Sequence, residues 1–189
     1  MTNQGKNAID LLLAESFKEL ATTRPIEKIT IKEITDKAGV IRPTFYNHFQ
    51  DKYELLEWIM RTELIEPMIP LIEGGMIKEG VTLALSTILN DREFYLKAVR
   101  LEGQNSFAEI LHQIVHELIL PYVGEEIIAK KLPYAWLTPD MVADFFAAIL
   151  CYAVIAWVSG GMKEPIDEIV DTFLYAAGHS VIEMLTQMD

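Results

Sequence analysis

The chain has 189 residues, 16 Lys/Arg against 28 Asp/Glu, a formal net charge of −12 and a single cysteine. One cysteine excludes an intrachain disulfide, which fits a reducing cytoplasm, and the opening MTNQGKNAID lacks the basic-then-apolar pattern of a secretory signal. The longest uninterrupted apolar run, 145–158, falls short of the roughly 20 residues a bilayer-spanning helix needs, so a buried or interface helix is expected and no membrane partner.

The charge is unevenly placed. Residues 1–52 carry eight Lys/Arg against seven Asp/Glu, a net of +1, while residues 53–189 carry eight against 21, a net of −13. The acidic bulk repels polyanions, so any nucleic-acid contact belongs to the N-terminal part. A head so weakly basic is expected to bind as one of two, in a dimer, with an affinity that falls as salt rises.

Taken in chain order, Ile9, Leu12, Leu13, Phe17 and Leu20 form the apolar stripe of a first helix. Thr30 followed three residues later by Glu33 is a capping box, and Ile31, Ile34 and Ala38 continue at helical spacing behind it. Gly39 stops this helix, since glycine takes the left-handed C-terminal conformation without steric cost, and Val40 points inward. The next helix starts near Arg42 with Pro43 in its first turn, where a missing N–H does no harm. Phe45 and Phe49, four apart, face inward and leave Arg42, Thr44, Tyr46, Asn47 and His48 outward. Two short helices joined by a Gly-containing turn form a helix-turn-helix.

The outer face suits DNA. Arg42 can donate bidentately to a guanine edge or pair with a phosphate, and Thr44 can reach a base edge or a thymine methyl. Tyr46 and His48 can donate to phosphate oxygens, which fix register without reading sequence. Lys52, near the start of the following helix, is placed to pair with a phosphate that the helix N-terminus also attracts. Thr30, Pro43 and Asn47 complete the candidate DNA-binding set.

Beyond the head, a connecting helix is expected from Asp51 to about Ile69, ending near Pro67 or Pro70, with breaks at Gly74-Gly75 and Gly80. Further helices are expected over about 81–89, 92–101 and 106–130, the last kinked by Pro121 and Gly124. Thr138-Pro139-Asp140 starts a helix that runs to Ser159 and stops at Gly160-Gly161. A last helix runs from near Pro165 to about Gln187, with Asp167, Glu168 and Asp171 in the early turns that the helix dipole favours. No segment alternates long enough for a strand. The expectation is an all-α protein of about nine helices, with a three-helix helix-turn-helix DNA-binding domain over 1–52 and a helical effector-binding and dimerisation domain over 53–189.

The N-terminal segment resembles the DNA-binding domain of the TetR family of transcriptional regulators over roughly residues 6–55. The matching residues are Ile29 to Ile34, Ala38-Gly39-Val40, Thr44-Phe45-Tyr46-Asn47-His48-Phe49 and Asp51-Lys52. A weaker likeness, through Lys52-Tyr53-Glu54-Leu55, Trp58-Ile59, Trp157 and Gly161-Met162-Lys163-Glu164, points to the subgroup containing the dihydroxyacetone-kinase regulators. Two departures stand out. Family members usually carry Ser or Asn where this chain has Ile41, and a lost helix cap typically costs ~0.5–2 kcal/mol. Pro43 replaces a small or polar residue and removes a backbone donor.

The resemblance implies a homodimer built from the last two helices of each chain, set on a near-palindromic double-stranded operator. It also implies a pocket whose ligand changes the spacing of the DNA heads, or control by a protein coregulator. Candidate pocket residues are Tyr95, Phe107, His112, Trp136, Phe145 and Tyr152, and the ligand is expected to be small, apolar and neutral or cationic. Candidate dimer residues are Ala148, Cys151, Ile155, Phe173, Ala177 and Val181. The expected function is a dimeric repressor released by a small-molecule effector, with an activator or a coregulator-controlled regulator as the alternative.

A metal-dependent enzyme using His112 and His116 is the remaining reading, since two His four apart on a helix can bind zinc. The hydrolytic motif requires Glu directly after the first His, and Gln113 stands there. No serine elbow and no Gly-rich phosphate loop is present in the sequence. The expectation is therefore no catalysis, no cofactor and no metal.

Overall fold

The computed structural model describes residues 3–130 and 134–178, with side chains over 8–124 and 134–175. Helix α1 (Asn3–Thr23) buries Leu13, Ala14, Phe17 and Ala21. A 3₁₀ turn (Ile26–Lys28) then leads into α2 (Ile31–Ala38). The capping box is formed: the Thr30 N–H donates to Glu33 Oε2 at 2.9 Å, and the Glu33 N–H donates to Thr30 Oγ1 at 3.3 Å. Gly39 ends α2 at φ 69°, the left-handed conformation that favours glycine. Helix α3 (Arg42–Tyr46) follows, and Phe45 and Phe49 pack inward with ring centroids 5.9 Å apart.

Helix α4 (Lys52–Met60) starts at Asp51, whose carboxylate accepts from the N–H groups of Tyr53 at 2.7 Å and Glu54 at 3.0 Å. The expected single rod to Ile69 is interrupted. Residues Arg61–Ile65 form a π-helical turn, closed by the Glu66 N–H donating to the Arg61 carbonyl at 2.9 Å. One residue is thereby accommodated in excess of an α-turn, and such turns are frequent at functional positions.

Helix α5 (Ile69–Glu73) ends at Gly74-Gly75, and α6 (Ile77–Asn90) begins four residues earlier than the expected 81. Gly80 is therefore not a breaker. It lies buried inside α6, where a Cβ would stand 3.6 Å from Leu71 and Ile72 side chains of α5. Helices α7 (Arg92–Ala98) and α8 (Phe107–Lys130) follow, with Pro121 inside α8. Helix α9 (Pro139–Ser159) is capped by Thr138, which accepts from the Met141 N–H at 3.2 Å, and α10 (Ile166–Gly178) completes the described fold. The expected continuation of α10 to Gln187 lies outside the described residues.

One continuous core joins the parts. Phe17 of α1 meets Phe94 of α7 edge-to-face at 6.2 Å, and Tyr95 links onward to Phe107 of α8 at 6.3 Å. Helix α9, 21 residues long, is long and apolar enough to cross a bilayer by length and composition alone. In the fold its apolar surface is divided. Ala143, Ala147, Cys151, Trp157 and Val158 are buried, while Phe145, Ile149 and Tyr152 form an exposed stripe at helical spacing.

Candidate nucleic-acid interface and apolar cavity

The exposed surface of α3 and its leading turn is formed by Ile41, Arg42, Pro43, Tyr46 and Asn47, with Thr44 half-buried among them. Arg42 Nη2 lies 3.4 Å from the Tyr46 hydroxyl, one helical turn away, so two donors are presented side by side. Thr30 is also exposed, but its hydroxyl donates to Glu33 Oε2 at 2.8 Å as part of the cap. Those bonds from the Thr30 N–H and hydroxyl, joined by Arg24 at 2.6 Å, hold the Glu33 carboxyl down to about 2.

Two expected phosphate donors are engaged elsewhere. The His48 side chain is only 2% exposed, and its Nδ1 lies 2.6 Å from Asp10 Oδ1 of α1. It clasps α1 to the turn that follows α3 and does not face outward. The spacing carried a signal for this, because position 48 is three residues past Phe45 and shares the inward stripe of Phe45 and Phe49. Lys52 donates to the carbonyls of Ile26 at 2.9 Å, Glu27 at 2.7 Å and Ile29 at 2.9 Å. An ammonium has three protons, and here each has a carbonyl, two in the 3₁₀ turn and one on the residue just after it. Burial lowers the affinity of this amine for its proton. Lys52 thus ties α4 to the chain ahead of α2.

A second ionic junction links the head to the larger part. Lys18 of α1 reaches Glu63 Oε1 in the π turn at 2.8 Å and Asp91 Oδ2, between α6 and α7, at 2.7 Å. Burial works against the Lys18 charge, and the hydrogen bonds the ammonium donates to Asp91 and Glu63 more than offset it, so it is held charged. Glu63 Oε2 and the Tyr95 hydroxyl are buried nearby without hydrogen-bond partners among the described residues.

An apolar cavity of about 390 Å³ lies between the π turn, α5, α6, α8, α9 and α10. Its walls include Leu64, Met68, Leu85, Leu111, Val154 and Phe173, and hydroxyl or thiol groups enter only through Tyr122 and Cys151. Burial pushes the Cys151 thiol up to about 12, so it behaves as a neutral apolar group.

None of the six expected pocket residues lines this cavity. Tyr95 and Phe107 are fully buried in the aromatic chain running from Phe17, and Trp136 (80% exposed), Phe145 and Tyr152 (76% exposed) lie on the surface. His112 sits with Tyr152 over a shallow outer depression. The cavity is walled by aliphatic side chains that in sequence are indistinguishable from ordinary core. Among the expected dimer residues, Cys151 and Phe173 are turned inward and line the cavity, Ala148 is exposed and Ile155 half-buried. Ala177 belongs to α10 with its side chain outside the described set, and Val181 lies outside the described residues.

The two histidines of α8 each face a carboxylate of α9: His116 Nε2 lies 3.2 Å from Asp140 Oδ1 and His112 Nε2 3.4 Å from Asp144 Oδ1. Among the described residues no group of three or more His, Cys, Asp or Glu side chains is placed to hold a metal ion.

Comparison with known proteins agrees with this arrangement. Residues 17–59 match the family model described as bacterial regulatory proteins, tetR family, and residues 76–177 match that of a transcriptional regulator C-terminal region. The chain is 36% identical over 145 residues, 74% of its own length and 74% of the relative's, to the HTH-type dhaKLM operon transcriptional activator DhaS of Lactococcus lactis subsp. lactis (strain IL1403). The chain belongs to the TetR family.

Within the TetR family it falls with the DhaS-like regulators. It is also 28% identical over 130 residues to the uncharacterized HTH-type transcriptional regulator YxbF of Bacillus subtilis (strain 168), 69% of this chain but 27% of that protein. Solved structures share the all-α TetR fold. The dihydroxyacetone kinase operon activator DhaS superposes with a TM-score of 0.58 at 22% identity, covering 88% of this chain and 92% of that one. A TetR-family regulator from Syntrophomonas wolfei gives 0.65 at 17%, covering 89% and 92%, and NalD of Pseudomonas aeruginosa, the secondary repressor of the MexAB-OprM efflux pump, gives 0.55 at 16%, covering 92% and 95%. The protein is a TetR-family DNA-binding transcriptional regulator.

Proposed function

We propose that the chain works as a homodimer on a near-palindromic operator, with its hold on DNA set by a neutral apolar molecule in the cavity. Residues 1–52 form the DNA head and residues 53–189 the effector-binding and dimerisation part. The observation that carries this reading is the position of the cavity. Leu64 and Ile65, in the π turn that continues α4, form one of its walls, while the other end of α4 is tied to the head through Lys52. A molecule filling the cavity would press on one end of α4 and displace the head at the other. A charged ligand is disfavoured, because burying an unpaired charge among aliphatic walls is far costlier than burying a neutral group.

The exposed stripe of Phe145, Ile149 and Tyr152 on α9, with Ala148 and Ile155 beside it and Leu174 of α10, is the surface assigned to the second subunit. Two-fold symmetry then sets two α3 helices about one DNA turn or somewhat more apart. Arg42, Thr44, Tyr46 and Asn47 make the contacts, in the cytoplasm where the DNA is. Loss of the operator on ligand binding is the first reading of the regulation. The 36% identical relative is named an activator, which favours a second: activation of transcription, through the cavity or through a protein coregulator.

Selection of random duplex DNA by the purified protein, sequenced after enrichment at moderate salt, tests the reading. An enriched near-palindrome is expected, bound by a dimer. A folded dimer that enriches nothing would overturn it.

A further inference from the structure

We propose that Ile41 reads the 5-methyl group of a thymine in the operator, and so contributes to sequence specificity; the inference rests on the DNA-binding reading above. Ile41 holds the N-cap position of α3 at φ −88° and ψ 152°, yet makes no side-chain hydrogen bond to the helix. Ser, Asn, Asp or Thr would stabilise the helix there, and Ile is among the poorest choices. Packing does not explain it either. Ile41 is 68% exposed, the most exposed of the large apolar side chains between residues 8 and 124.

Its surroundings point to DNA. Arg42, Pro43 and Tyr46 are exposed beside it, and Arg42 and Tyr46 supply the polar contacts of the same face. Pro43 carries no N–H and the Thr44 N–H donates to the Ile41 carbonyl at 2.9 Å, so Ile41 and Pro43 present carbon at this leading edge. In the major groove, base edges present donors and acceptors with one apolar exception, the C5-methyl of thymine. An isoleucine that neither caps nor packs in the free protein finds its burial against that methyl.

The test uses the full-length protein and its selected operator. Each thymine is replaced in turn by deoxyuridine, which lacks only the methyl, and affinity is read by fluorescence anisotropy. For the natural chain, one thymine in each half-site is expected to show a loss of about fourfold on replacement, the worth of one buried methyl group. Ile41→Ala is expected to bind the thymine and deoxyuridine forms equally at that position. Ile41→Ser is expected to do the same with its helical circular dichroism and melting temperature preserved, which separates lost reading from lost folding. Operator binding that ignores the methyl at every position, or undiminished discrimination in Ile41→Ala, would overturn the role of Ile41 alone. Absence of sequence-specific binding in the natural chain would overturn the DNA-binding reading and this proposal with it.

Discussion

The Lys52 ammonium sits between three carbonyls of the turn that precedes α2, so its removal strands acceptors. We expect Lys52→Ala to lower stability by about 1–2 kcal/mol, within the usual cost of unmade hydrogen bonds to a partly buried group, measured by urea unfolding. A phosphate contact would behave differently: its loss would reduce the slope of log affinity against log salt by about one, and for Lys52→Ala no such change is expected. Tyr46→Phe should weaken binding to all sequences alike, as a lost phosphate donor does. Glu33 supplies a pH test. Its carboxyl is held down to about 2 from an ordinary 4.5, first by the Thr30 N–H and hydroxyl and then by Arg24. A depressed carboxyl adds stability that is complete above about 4.5 and is lost as pH falls towards 2. The stability difference between the natural chain and Glu33→Gln should therefore be constant at neutral pH and shrink across that window, in unfolding titrations repeated at several pH values.

At the scale of the element, α4 is the informative helix. Its first turn is anchored by Asp51 and Lys52, and its last merges into a π turn that carries Glu63 on one side and Leu64 and Ile65 on the cavity side. Lys18 therefore holds the head to the same turn that a ligand would touch. Lys18→Met leaves the part-buried Glu63 without its counter-charge. The loss should be about 2 kcal/mol, between the cost of an exposed and of a fully buried broken pair, because Glu63 is half-shielded and Asp91 retains access to water. The chemical-denaturation midpoint measures it. Adding Glu63→Gln should recover much of that loss, since the stranded charge is then gone; a double variant no more stable than Lys18→Met would show that the junction is not electrostatic.

For the whole molecule, the exposed stripe on α9 makes the assembly testable. Phe145→Asp places a charge in the assigned interface, and light scattering should then report a monomer while circular dichroism keeps its helical signal. An unchanged dimer would move the interface elsewhere. Much of this architecture was legible beforehand, because its causes are local. The capping box at Thr30 and Glu33, the left-handed Gly39, Pro43 in a first turn, and the Phe45–Phe49 pair depend on residues within four positions of each other, and the family motif is made of them. Tertiary structure alone decided which partners His48 and Lys52 meet and where the cavity lies. His48 meets an aspartate 38 residues away and Lys52 a carbonyl 26 residues away, and no local pattern encodes such partners. Aliphatic residues spaced for a helix look the same whether they meet another helix or line an opening between several. Position along the chain determines the face of a helix, and only the packing of whole helices determines what that face meets.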